Sequence, residues 1–205
     1  MKDRYRILEV RGTTLAFRST LGSLTVFVAI SIAALFAKFA PIPITPDVAA
    51  KLQTIAFQAA REGDVETLTE YFRAGRPVNE TNSRGDTLLT VAAYAGQAKV
   101  VAVILKQLKV AIDAKNMMGL TALTAAAFKG HLEIAQALVA AKANVNHANG
   151  SGQTALMFAA LAGKADMVAY LLKSGADPKA RDKSGKTALS LAQEQGAEEV
   201  VKLLK

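Results

Sequence analysis

A single spacing recurs through residues 50–205 and limits what this chain can fold into. Threonine and two glycine positions repeat every 33 residues, at Thr121, Thr154 and Thr187, at Gly119, Gly152 and Gly185, and at Gly130, Gly163 and Gly196. Between the first two copies the spacing is 34, which predicts one extra residue within 106–113. A period of about 20–50 residues is typical of solenoids, whose units bury apolar surface only against their neighbours.

The residue pattern within each copy predicts two helices that stack on those of the next copy. Pairs of alanine let adjacent first helices approach closely, at Ala92, Ala93, Ala126, Ala127, Ala159 and Ala160. Larger apolar side chains fill the space between second helices, at Val101, Ile104, Leu105, Ile134, Leu138, Val139, Val168, Leu171, Leu172, Val200, Leu203 and Leu204. Because one helix pair is too small to bury its own apolar face, we predict a core that is continuous through the array.

The motif order is G-x-T-x-L, then A-A-x-x-G (A-Q-E-Q-G in the fourth copy), then an apolar segment, which the third copy closes with G-A-D. This order resembles the ankyrin repeat over about three quarters of the chain. The resemblance implies an all-α solenoid with turn fingers, built from a capping repeat (48–81), repeats 82–115, 116–148 and 149–181, and a C-terminal repeat (182–205). The family's T-P-L-H box appears as TLLT, TALT, TALM and TALS, and we expect its threonine still to fix the start of the first helix.

The N-terminal segment differs from the repeats in charge and hydropathy. Residues 1–18 form a basic tail, and the 19 residues of 19–37 carry no charge. A helix of that length would be about 28 Å long, close to the thickness of a bilayer core. We predict one N-terminal hydrophobic helix within 19–40 that serves as a transmembrane signal anchor. A cleaved signal peptide is the alternative, although the apolar run is long for one and no clean cleavage site follows it.

The basic flank of that span predicts its orientation, with residues 1–18 in the cytoplasm and the repeats outside it, periplasmic in a bacterium. Cleavage of a signal would instead release a secreted or periplasmic domain. The prolines of 41–47 predict a linker, and Thr45 with Pro46 predicts the start of a helix. The segment as a whole suggests a bacterial ankyrin-repeat protein of the membrane-anchored or exported type.

Composition and charge disfavour several function classes. The chain has no Cys, which removes disulfides, thiolate metal sites and a Cys nucleophile. Its net charge of +8 divides equally between residues 1–40 and 41–205, so the repeats are only mildly basic and we expect no nucleic-acid partner. His131 and His147, the two histidines, have no companions at metal-ligand spacing. The Lys186 turn lacks the first glycine of a phosphate-binding loop, because position 180 is Ala. We therefore expect no metal, no cofactor and no enzyme activity.

The resemblance places partner contacts on the turn tips and on the exposed side of the first helices, which together make a concave face. The candidate residues there are Arg84, Asp86, Tyr94, Met117, Met118, Leu120, Phe128, Lys129, Gln153, Leu161, Lys183 and Lys186. The second tip is Met-Met-Gly-Leu, where a solvent-exposed turn is normally polar, and an exposed apolar patch marks a binding surface. Packing of this tip against the membrane or the N-terminal stalk is the alternative.

Tyr94, Phe128 and Leu161 recur at one position of successive copies, so we expect them to align across the concave face. A residue at this position can instead pack on its neighbour, which leaves a mainly structural role open for Tyr94 and Phe128. These features predict a non-catalytic protein that mediates protein–protein interaction at a membrane. The alternative is an accessory or chaperone-like factor that supports an exported enzyme, for example in oxidative-stress defence.

Overall fold

The computed structural model describes residues 5–10, 13–18 and 45–205. Residues 45–205 form consecutive helix pairs, in which each first helix is followed by a short second helix. The helices are α1 Pro46–Glu62, α2 Val65–Arg73, α3 Leu88–Ala95, α4 Ala98–Leu105, α5 Ala122–Lys129, α6 Leu132–Ala140, α7 Ala155–Leu161, α8 Ala165–Lys173, α9 Ala188–Glu194 and α10 Glu198–Leu204. This part of the chain is the predicted all-helical solenoid.

The helices stack in two layers that enclose the core. First helices contact first helices along the array, and second helices contact second helices. All six alanines predicted at the seam between first helices are fully buried, which confirms their role in close packing. Ile104, Leu138 and Leu171 are likewise buried between second helices. Leu203 differs from the prediction, since it lies in the last helix and remains 42% exposed.

Threonine side chains begin the first helices, as the sequence predicts. In the four full copies the threonine oxygen accepts a hydrogen bond from the backbone N–H three residues later, at Thr87, Thr121, Thr154 and Thr187. This bond satisfies one of the amide groups that a helix start leaves without a partner. Thr45 caps α1 in the same way. Because α1 begins at Pro46, the helix includes two residues of the segment 41–47 that we predicted as linker.

Two lysines occupy left-handed backbone positions where other copies have glycine. Lys142, which follows α6, has φ +72°, and Gly175 at the equivalent position has φ +89°. Lys109 has φ +61° and lies in the loop 106–113, where the extra residue was predicted. The same loop exposes Leu108 almost completely. The extra residue is therefore accommodated outside the helix layers.

The loops that leave the second helices are fixed by side chains of the preceding repeat. Asn79 accepts the N–H of Ala111 at 2.9 Å and donates to the Lys109 carbonyl at 2.8 Å. Further along the array, Asp113 accepts the N–H of Asn144 at 3.0 Å. Asn146 accepts the N–H of Asp177 at 2.8 Å. These bonds tie each loop to the next one and hold the register between repeats.

The N-terminal region contains a β-hairpin that the sequence analysis did not predict. Strands β1 Tyr5–Val10 and β2 Thr13–Arg18 pair antiparallel, with Tyr5 opposite Arg18 and Val10 opposite Thr13. The sequence analysis described 1–18 only as a basic tail and predicted no strands there, so the hairpin is an addition to the all-helical fold of 45–205. The signal for strands was present, because both segments are rich in β-branched and aromatic residues and are separated by two residues that include a glycine.

The predicted hydrophobic helix at 19–40 lies outside the described residues, as do most residues of the linker at 41–47. Among the described helices of 45–205, none has the length and apolarity required to cross a membrane.

Candidate functional site

Four short fingers project between consecutive helix pairs: the first at 82–86, the second at 116–120, the third at 149–153 and the fourth at 182–186. Each begins with a residue whose side-chain oxygen accepts the N–H groups two and four residues later, at Asn82, Asn116, Asn149 and Asp182. The glycine three residues after it is left-handed in every finger. This turn chemistry fixes the tips on a rigid scaffold, where variable side chains can be presented.

The fourth finger alone begins with an acid. Asp182 accepts from the Ser184 hydroxyl at 2.6 Å and from two backbone N–H groups. These hydrogen bonds, that of Ser184 first, lower the pKa of Asp182 because they stabilise its charged form.

The first and second fingers are joined by a buried carboxylate. Asp86 accepts hydrogen bonds from Asn116 at 2.8 Å, from Arg84 Nε at 3.1 Å and from Asn82 at 3.2 Å. The N–H of Met117 also donates to the Arg84 carbonyl at 3.0 Å. Only 9% of the Asp86 side chain is exposed, against 70% of the Arg84 side chain. Asp86 therefore holds two fingers together and offers little surface to a partner.

A groove with a volume of about 870 Å³ runs between these two fingers and the exposed side of α3 and α5. It is lined by Arg61, Arg84, Asp86, Thr90, Val91, Tyr94, Ala95, Asn116, Met118, Leu120, Thr124, Ala125, Phe128, Lys129, His131 and Phe158. The lining is largely apolar, and it also includes three cationic side chains, Arg61, Arg84 and Lys129. A concave, mostly apolar surface with a few placed polar groups is the usual form of a binding site.

Aromatic side chains give the groove its shape. Tyr94 is 51% exposed, and the ammonium of Lys129 lies 5.1 Å from its ring centroid. The Phe128 ring packs edge-on against Phe158, with centroids 6.3 Å apart and an interplanar angle of 88°. The cation–π contact positions Lys129, and the aromatic pair positions Phe128 while leaving it 39% exposed.

Comparison with known families identifies the repeats. Residues 56–149 match a family model described as ankyrin repeats in three copies, and residues 138–192 match one described as ankyrin repeats in many copies. The chain belongs to the ankyrin-repeat family. A stretch of 86 residues, 42% of the chain, is 34% identical to ankyrin repeat and SOCS box protein 2 from Bos taurus. The match spans only 14% of that relative's length, so the likeness concerns the repeats alone.

Seven of the predicted contact residues of this ankyrin domain meet in the groove: Arg84, Asp86, Tyr94, Met118, Leu120, Phe128 and Lys129. They come from two consecutive repeats. Tyr94 and Phe128 line one surface, but Leu161 is partly buried against the core and does not extend the alignment into the groove. Leu120 is also partly buried, whereas Met118 is 65% exposed.

The remaining predicted residues lie outside the groove lining. Met117 is 81% exposed at the tip of the second ankyrin finger. Gln153 accepts a hydrogen bond from Asn149 within the third finger, at 3.1 Å. In the fourth finger Lys183 is exposed, and Lys186 pairs with Glu194 at 2.6 Å. The structure thus concentrates the candidate site on the first two fingers of the domain.

Nine residues of the groove lining were not among the predicted contacts, and three of them have large side chains from outside the mapped positions: Arg61, His131 and Phe158. Arg61 belongs to the capping repeat, which lacks the finger motif from which we mapped contacts. His131 directly precedes α6 and was considered in the sequence only as a possible metal ligand. Phe158 could have been found, because it lies three residues before Leu161 and therefore on the same helix face.

Proposed function

We propose that this ankyrin domain is a non-catalytic module that binds a protein partner in the groove of its first two fingers. The observation that carries the proposal is the exposure of Tyr94, Phe128 and Met118 side by side on a rigid concave surface. Aromatic and methionine side chains supply much of the binding energy at protein interfaces, and soluble surfaces rarely expose them in contiguous patches.

The carboxylate that lines the groove is poorly placed for acid–base chemistry. This carboxylate is Asp86, and three side-chain donors already occupy it. A general base must be free to reach the proton that it removes. The apolar floor and the donor-rich rim instead favour recognition.

The double replacement Tyr94→Ser and Met118→Ser tests this function in the full-length protein. We expect partner capture from the host cell to weaken at least about tenfold, since two interface anchors are lost. Leu108→Ser is the matched control, because Leu108 is 88% exposed but lies outside the groove. Binding measured by quantitative pull-down should be unchanged in the control, and both variants should keep the helical circular dichroism of the original. Equal loss in both, or loss in neither, would contradict the proposal.

We further propose that residues 19–37 anchor the protein in a membrane with the ankyrin domain extracytoplasmic, in the periplasm if the host is bacterial. The support is the uncharged run itself and its basic N-terminal flank. We expect the native protein to remain in the membrane fraction after alkaline extraction and to keep its original N-terminus. The ankyrin domain should be digested by protease added outside the cytoplasmic membrane. A new N-terminus near residue 38 would indicate a cleaved signal instead, and a soluble protein with an intact N-terminus would exclude both.

A further inference from the structure

The groove rim carries basic side chains that the domain leaves largely unneutralised. Within residues 45–205, neither Arg61 nor Lys129 has a carboxylate within ion-pair distance. Arg84 is paired with Asp86, yet most of its side chain faces solvent. His131 lines the same groove. Against these groups, the lining contains only the buried carboxylate of Asp86, so the open surface of the groove is positively charged.

The concave surface continues past the groove toward the capping repeat. A second cavity of about 710 Å³ adjoins it, and Arg61 and Arg84 line both. The second cavity is mostly polar and contains one acid, Glu62, which accepts a hydrogen bond from Gln58 at 3.0 Å. Arg61 and Arg84 therefore lie between the mostly apolar groove and the mostly polar second cavity.

The C-terminal end of the concave face does not combine exposed aromatic side chains with unpaired cations in the same way. In the fourth finger the ammonium of Lys186 is neutralised by Glu194 at 2.6 Å. Leu161, at the position equivalent to Tyr94 and Phe128, is partly buried. Within the described residues, the combination of exposed aromatic rings and open cations thus lies at the capping repeat and the first two full repeats.

We propose, on the basis of the binding function above, that the partner is an acidic protein segment with an apolar anchor. The anchor, an aromatic or long aliphatic side chain, contacts Tyr94, Phe128 and Met118 in the groove. Carboxylates on either side of the anchor pair with Arg61 and Arg84 at one end and with Lys129 at the other. Arginine forks suit carboxylates because two N–H groups can bind both oxygens at once.

Charge complementarity argues against occupation by the chain itself. Residues 1–40 carry six basic and two acidic side chains, so the N-terminal segment has the same sign as the groove rim. Residues 41–205 also have a net charge of +4, so a second copy brings no net negative charge to complement the groove. An acidic segment of another protein with an apolar side chain would complement both the basic residues and the exposed apolar residues of the groove.

The test measures binding of fluorescent synthetic peptides to the purified full-length protein in detergent. The probe is a peptide of twelve residues in which Glu and Asp flank a central Trp-Leu pair. In one comparison peptide Lys replaces the acidic residues. In the other Ala-Ala replaces Trp-Leu. We expect the acidic probe to bind at least about tenfold more tightly than either, and its affinity to fall as salt screens the charges.

Two variants assign that binding to the groove. Arg61→Gln with Lys129→Gln should weaken the acidic probe about three- to tenfold, the range for two exposed ion pairs, and leave the helical spectrum unchanged. Lys183→Gln, an exposed cation outside the groove, is the matched control and should stay within about twofold. The assignment is overturned if the acidic probe binds no better than the lysine peptide. It is also overturned if the substitutions at Arg61 and Lys129 leave the affinity of the probe unchanged. A thymidine oligonucleotide that binds more tightly than the probe overturns it as well.

The outcomes separate this inference from the function on which it rests. If the serine variant of Tyr94 and Met118 loses its cellular partner while the acidic probe does not bind the original protein, the groove binds a protein segment of different chemistry. If the serine variant keeps its partner, the groove is not the binding surface and both proposals fall.

Discussion

Replacing Leu138 with alanine is expected to lower the free energy of unfolding by about 2–5 kcal/mol, one of the largest single-residue effects in this protein. Leu138 lies in α6, in the middle of the second layer, and is fully buried. Truncation removes apolar contacts and leaves a cavity that the helices on either side cannot readily fill. Because repeats are stabilised mainly by their neighbours, a defect here weakens the array on both sides. Urea denaturation followed by circular dichroism measures the change.

Leu203→Ala provides the matched control for that substitution. Leu203 has the same side chain in a second helix, but 42% of it is already exposed in α10. Its truncation should cost about 1 kcal/mol or less, since fewer contacts are lost. Equal costs at Leu138 and Leu203 would show that the second helices do not share a continuous core.

The second large effect is expected at the fingers, where Gly119→Ala should cost about 2–3 kcal/mol. Two terms add, because Gly119 has φ +74° and a Cβ there would lie 3.1 Å from the Asn149 Cβ and the Gly150 nitrogen. The left-handed backbone costs about 1–2 kcal/mol for an alanine, and the close contact adds about 1 kcal/mol. Thermal and urea unfolding of the full-length protein measure the sum.

Gly185→Ala separates the two terms. Gly185 has a similar φ of +80°, but a Cβ there would meet nothing within 4 Å. Its substitution should therefore cost only the backbone term, about 1–2 kcal/mol. A Gly119 variant no less stable than the Gly185 variant would mean that the second and third fingers do not pack as closely as the structure shows.

The repeat architecture could be predicted because its determinants are local and recur. Thr87 and its equivalents accept hydrogen bonds from amides three residues away, and the paired alanines of the first three full copies pack in the same way between first helices. The N-terminal hairpin was missed because the charges of residues 1–18 suggested a tail, while the strand-forming side chains between those charges were overlooked. Lys142 shows that the stack imposes a left-handed turn even where the residue disfavours it.

The candidate site could be predicted only in part, because several of its features depend on contacts between repeats. Asp86 occupies the same finger position as Leu120 and was mapped as a contact residue. Its burial follows from Asn116 in the next finger, a pairing that no spacing rule identifies. The neighbouring tip residues Met117 and Met118 are both methionine, yet only Met118 lines the groove, because the turn sets the direction of each side chain.

The groove is assembled across a boundary between repeats, whereas the stacking surfaces are nearly the same at every boundary. Threonine caps recur in all four full copies and alanine pairs in the first three, while the equivalent groove positions of those three carry Tyr94, Phe128 and Leu161. Exchanging the order of two copies would thus keep the seams compatible but juxtapose different side chains between the fingers. Duplication and shuffling of copies could in this way generate new recognition specificities without new core packing, and the same route is open to protein engineers.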